Sequence, residues 1–169
     1  MKDFDPDGVG VDNGNYFGFP FDEKEARLVL LSVPWDVTAS YGGGAAFGPD
    51  AIIEASTQLD FYDPVSPGAW RKGIATVPID YSLQDRSTRL RPDAKKIMES
   101  LEEGGIAFED YLAPRRLERI NSASAELNRA VYEASAARLD AGHLVGLVGG
   151  DHSTPLGLIK AVAEREPGV

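Results

Sequence analysis

Apolar residues in this chain occur in two patterns, short unbroken runs and longer stretches at helical spacing, and the two alternate. Arg27-Leu28-Val29-Leu30-Leu31-Ser32-Val33 is nearly continuous, as expected of a strand buried on both faces of a parallel sheet, and Pro34 ends its ladder. Lys72 to Ile79 predicts a second strand with Gly73–Val77 as its apolar part, and Leu144–Val148 a third, short and rich in β-branched residues. Between the first two, Pro49 opens a helix whose buried face is Ile52, Ile53, Ala55, Ser56 and Leu59 and which ends before Asp63-Pro64. Pro92 to Glu103 predicts another, with Ala94, Ile97, Met98 and Leu101 inward and Gly104-Gly105 as its stop. Met98 reads there as core filler. After a polar connection, Asp110 to Arg116, a long helix lies between Pro114 and Ala141, marked by Leu117, Ile120, Ser124, Leu127, Val131 and Ala134, and Gly142 suits its left-handed cap. Beyond the third strand, Ser153 or Thr154 serves as an N-cap, Pro155 as the first helical residue, and Leu156, Ile159 and Ala163 follow at helical spacing.

Strands separated by helices predict an α/β fold with a mostly parallel sheet covered on both faces. Residues 1–26 read as an extended arm, rich in Asp, Gly, Asn and aromatics, with Tyr16, Phe17, Phe19 and Phe21 anchoring it to its own domain or to a neighbouring subunit. Asp3, Asp5, Asp7 and Gly8 imitate the start of a calcium loop, but Gly14 stands where a bidentate glutamate belongs. No sequence repeat of solenoid length is present.

Composition narrows the partners. At 169 residues, 43% hydrophobic and 26% charged, the chain is sized for one globular domain. A formal net charge of −10 disfavours nucleic acid and anionic membranes. The absence of cysteine excludes disulfides and thiol chemistry and agrees with a cytoplasmic location. Neither a secretion signal nor a run of about twenty apolar residues appears.

The candidate chemistry sits on the turn Gly149-Gly150-Asp151-His152-Ser153, which places an imidazole and a carboxylate between the third strand and the helix after it. In open α/β sheets ligands bind beyond the carboxyl ends of the strands, so Asp151 and His152 stand where chemistry usually occurs. The residues alone leave two readings: a metal or catalytic role, or a tight turn whose Asp-His pair only caps the next helix. A nucleotide site at the same turn is a third. The glycine-bearing loop after the first strand is not a P-loop, because no Lys-Ser/Thr follows it. Asp80 is read as a cap or turn residue and His143, at the far end of the sheet from His152, as a surface or cap residue.

Gly149 to Ser153 resembles the GGDHS signature of the ureohydrolases, the group of arginases, agmatinases, guanidinobutyrases and formimidoylglutamases. Val33-Pro34-Trp35-Asp36, then Ser40-Tyr41-Gly42-Gly43-Gly44, then Phe47-Gly48-Pro49-Asp50-Ala51-Ile52 is similar to the early pattern of the same family. The resemblance covers roughly residues 27–169 and implies the three-layer α/β/α, arginase-like fold, incomplete in this chain. It implies that His152 binds one ion of a two-metal centre, usually manganese with nickel or another metal also open, and that Asp151 behind it fixes the ring or the turn. Trp35, Asp36, Ser40, Tyr41, Gly42, Gly43 and Gly44 would form a substrate-side loop. That loop departs from the commoner SYRPGARFGP form, lacking its positive charges. The family's Asp-x-His-x-Asp and Asp-x-Asp signatures, which carry most metal ligands, are absent, so the chain reads as the front half of such an enzyme. Hydrolysis of a guanidino or formimino compound by a homo-oligomer, trimer or hexamer, is the implied function of the complete protein. The alternative is a non-catalytic half-domain acting in assembly or partner binding. A sheet that stops here is expected to leave an unpaired edge and to associate.

Overall fold

A computed structural model describes residues 4–104, 111–166 and 168. The first acidic position of the candidate calcium loop, the start of the Asp110–Arg116 connection and part of the closing segment lie outside the described residues. The elements are β1 (Leu28–Val33), α1 (Gly48–Ser56), β2 (Ile74–Thr76), α2 (Tyr81–Glu102), α3 (Ala113–Asp140), β3 (Leu144–Gly149) and α4 (Leu156–Ala163), with 3₁₀ turns at Tyr16–Gly18, Ala45–Phe47 and Ala69–Lys72.

The three strands form one parallel sheet in the order β2-β1-β3. The chain steps from β1 to β2 on one side, then returns through α2 and α3 to β3 on the other. The winding therefore reverses at β1, and the register Val33↔Gly149 sets the carboxyl ends of β1 and β3 side by side at the switch point. Val33 and Leu147, on one face by register, pack with α2 and α3 in a core of Trp35, Val37, Leu90, Ala94, Ile120, Ala123, Leu127 and Val131. On the opposite face Ser32 bonds the Tyr16 hydroxyl (2.8 Å) and the Thr76 hydroxyl accepts the Tyr16 N–H (2.9 Å). The arm is thus anchored to its own sheet, and its rings Phe4, Phe17, Phe19 and Phe21 join Phe61 and Trp70 in a second cluster around Val29 and Ala75. No described helix is long and apolar enough to cross a membrane.

Several elements differ from the sequence expectation. α2 begins at Tyr81, not Pro92, because Asp80 is its N-cap, accepting the Ser82 N–H at 2.9 Å. Pro92 lies inside the helix, where it removes one backbone bond. β2 is only three residues long. β3 is partly exposed along its length, since it pairs with β1 alone among the described residues.

Two helices are rotated from the predicted faces. In α1, Ser56 is buried as expected, together with Pro49, but Ile52 and Ala55 are exposed and Leu59, also exposed, lies beyond the end of the helix. The Ser56 hydroxyl accepts the Phe17 N–H at 2.8 Å, so a polar bond to the arm sets the rotation of this helix. In α4, Leu156 and Ile159 are 56% and 58% exposed, and Gly157 and Ala161 face α3. A Cβ at Gly157 would stand 2.6 Å from the Tyr132 nitrogen, so the smallest residues let the two helix backbones approach, and that contact outcompetes the apolar stripe. Ser153 and Thr154 do not cap α4; Pro155 occupies that position without a side-chain bond.

The expected caps at the other end of the sheet are present. Gly142 has φ +88° after α3, and the His143 ring nitrogen Nδ1 lies 3.1 Å from the Ala26 carbonyl at the start of β1.

Candidate active site at the carboxyl ends of β1 and β3

The ladder between β1 and β3 continues past the strands. The Gly150 N–H donates to the Val33 carbonyl (3.2 Å) and the Asp151 N–H to the Trp35 carbonyl (2.9 Å), so the two sequence motifs meet backbone to backbone. Gly150 is required by this approach, because a Cβ there would overlap the Trp35 carbonyl oxygen.

Asp151 holds the turn together. Its Oδ1 accepts the Ser153 N–H (2.9 Å) and the Ser153 hydroxyl (2.5 Å), while its Oδ2 accepts the Thr38 N–H (2.9 Å) and the Thr38 hydroxyl (2.8 Å). The Thr154 hydroxyl, buried, donates to the Asp151 carbonyl (2.9 Å). Both carboxylate oxygens are therefore occupied in bracing loops. His152, next in sequence, is exposed and borders an open recess lined also by Leu147, Gly149, Pro155 and Leu158.

The loop after β1 is built in two layers. Trp35 is fully buried in the core and Asp36 is 5% exposed. These two lie beneath the loop and support it, whereas Ser40, Tyr41, Gly42, Gly43 and Gly44 are exposed above. Asp36 accepts the Gly44 N–H through Oδ2 (2.8 Å) and the Ser87 hydroxyl through Oδ1 (2.9 Å), and its own N–H donates to the Ser87 oxygen (3.0 Å). From α2, Arg91 donates to the carbonyls of Val37 and Gly42. Thr38, Ser87 and Arg91 had not stood out in the sequence. The last two sit on a segment whose apolar pattern gives no sign of α2's true start.

A model of the arginase family matches residues 26–169. The chain belongs to that family. Its curated relatives include three named N(1)-aminopropylagmatine ureohydrolase. That of Thermus thermophilus is 29% identical over 141 residues, 83% of this chain and 36% of the relative. That of Thermococcus kodakarensis is 51% identical over 45 residues, 26% of this chain and 16% of the relative, and that of Synechocystis sp. is 44% identical over 39 residues, 23% and 13%. The matched part of this arginase-family chain thus covers no more than 36% of the length of these relatives. No solved structure gives a significant match.

Among the described residues no three His, Asp or Glu side chains converge. Asp151 accepts four hydrogen bonds, and the exposed His152 carries the imidazole donor at the turn. The described residues do not by themselves make a two-ion site.

Proposed function

We propose that this chain forms the β1–β3 half of the active-site crevice of a metal-dependent ureohydrolase, acting on a cationic guanidino compound and releasing urea. The observation that carries this reading is the backbone junction of the two family motifs at the switch point, with His152 exposed at its rim. Divalent ions bound there, manganese by family with nickel or another metal open, would supply a water deprotonated near neutral pH and stabilise developing charge. This chain's own contribution is positional. His152 offers one ring nitrogen, Asp151 fixes the turn that carries it, and the loop above Asp36 walls the crevice. The remaining metal ligands come from outside the described residues.

The relatives' name directs the choice of substrate to a polyamine-like guanidine, N1-aminopropylagmatine, ahead of agmatine, arginine, guanidinobutyrate or a formimino compound. A strongly acidic chain suits such a polycation. The proposal includes a cytoplasmic, homo-oligomeric enzyme. Urea release from each of these compounds by the full-length protein checks it: hydrolysis of the aminopropyl substrate is expected, and hydrolysis of none contradicts it.

That no ligand set converges among the described residues favours a second reading, a non-catalytic α/β half-domain acting in assembly or partner binding. Metal analysis of the 169-residue chain separates the two, since tight stoichiometric metal opposes the second.

A further inference from the structure

The Arg91 guanidinium is directed at main chain on both sides of the loop after β1, Nη1 donating to the Val37 carbonyl at 3.0 Å and Nη2 to the Gly42 carbonyl at 2.8 Å. We infer that Arg91 is a positioning residue which, with the buried Asp36, fixes the loop Thr38–Gly44 in one shape and thereby sets how tightly a guanidino substrate is held; this rests on the function proposed above.

A loop carrying three consecutive glycines has a large conformational entropy to lose. Gly42 and Gly44 moreover adopt φ of +66° and +107°, and a Cβ at either would meet nothing within 4 Å, so close packing does not impose these shapes. External bonds must therefore select the conformation. Asp36 Oδ2 closes the base of the loop on the Gly44 N–H, and Asp36 is itself tied to Ser87. Arg91 then bridges the two arms. Ser87 and Arg91 are one helical turn apart, so a single face of α2 supplies both supports. Between the loop and α2 lies a cavity of ≈ 340 Å³ bordered by Ser40, Gly43, Arg91, Met98 and Glu102, space that an unbraced loop is free to fill. Above it Tyr41 is 100% exposed, which leaves the tip available to a ligand.

The bridge depends on the fork geometry of a guanidinium, whose donors are fixed in one plane and reach two carbonyls at once. A lysine ammonium keeps the charge and loses the span.

The test uses the full-length protein with Arg91→Lys and Arg91→Ala, reading amide hydrogen exchange over residues 38–44, melting temperature, and kcat and KM for N1-aminopropylagmatine. Both variants are expected to speed exchange in that segment about tenfold with little change in melting temperature. KM should rise about fivefold while kcat stays within about twofold. A merely structural role would lower kcat and melting temperature together. Wild-type exchange rates in Arg91→Lys overturn the brace. A wild-type enzyme inactive on every guanidino compound overturns the substrate role, while exchange still judges the brace by itself.

Discussion

The Asp151 carboxylate ties together two loops that are 113 residues apart in sequence, its Oδ2 accepting both the N–H and the hydroxyl of Thr38. This bond joins the turn that carries His152 to the loop that follows Trp35.

Asp151→Asn removes acceptor capacity on one side of the carboxylate and sets an amide donor against existing donors. Its expected cost is about 1–3 kcal/mol in denaturant unfolding. Thr38→Val keeps the backbone bond and loses only the hydroxyl, for about 1 kcal/mol. Equal costs for the two would contradict the four-bond role of Asp151.

The glycines of the two turns separate by mechanism. Gly150→Ala drives a methyl into the Trp35 carbonyl and is expected to destabilise by about 3 kcal/mol or more. Gly44→Ala is strained by its positive φ and should cost about 1–2 kcal/mol. At Gly43 the added Cβ meets only the Asp36 carboxylate, at 4.0 Å, so Gly43→Ala should be near neutral. Thermal melts of the three variants check this order.

Much of this arrangement was legible in the sequence, and the exceptions share a cause. The three strands declare themselves because parallel strands are apolar runs, and the turn after β3 through its resemblance to the GGDHS signature, since its residues alone leave a capping role open. Long-range polar bonds leave no periodic trace. α2 was expected to start at Pro92 because proline commonly opens helices, whereas the Asp80 cap lies in a polar stretch without an apolar stripe. The faces of α1 and α4 depart from expectation, Ser56 apart, because the Ser56–Phe17 bond and the close approach at Gly157 decide rotation, and both join residues 25 or more positions apart. Trp35 and Asp36 were grouped with the exposed loop; they are the buried layer beneath it, tied to an α2 residue 51 positions away.

The arm has an alkaline limit. Burial raises the Tyr16 phenol above the ordinary tyrosine range, with Asp50 adding to the shift and the Ser32 bond opposing it. A raised folded value means that the stabilisation is complete below about pH 10 and is lost as pH rises through the folded pKa. Tyr16→Phe should cost about 1 kcal/mol at neutral pH and flatten the alkaline limb of the stability curve. An unchanged alkaline limb would contradict this role.

The ion pair beyond α4 has an acid limit. Hydrogen bonds from Arg165, at 2.7 and 2.9 Å, hold the Asp140 carboxyl below the usual aspartate range. A depressed folded value gives stabilisation that is present above the unfolded pKa and lost as pH falls through the folded one. Asp140→Asn should therefore reduce acid sensitivity, by a small amount because the pair is exposed and salt-screened. Titration melts in low and high salt measure both effects.

In the proposed function the imidazole at position 152 holds an ion used in catalysis. The direct test is bound metal per active site, measured together with urea release, in full-length His152→Asn against wild type. The variant is expected to lose metal stoichiometry and hydrolysis together while melting as a folded protein; full metal content and unchanged turnover in the variant would contradict that role of His152.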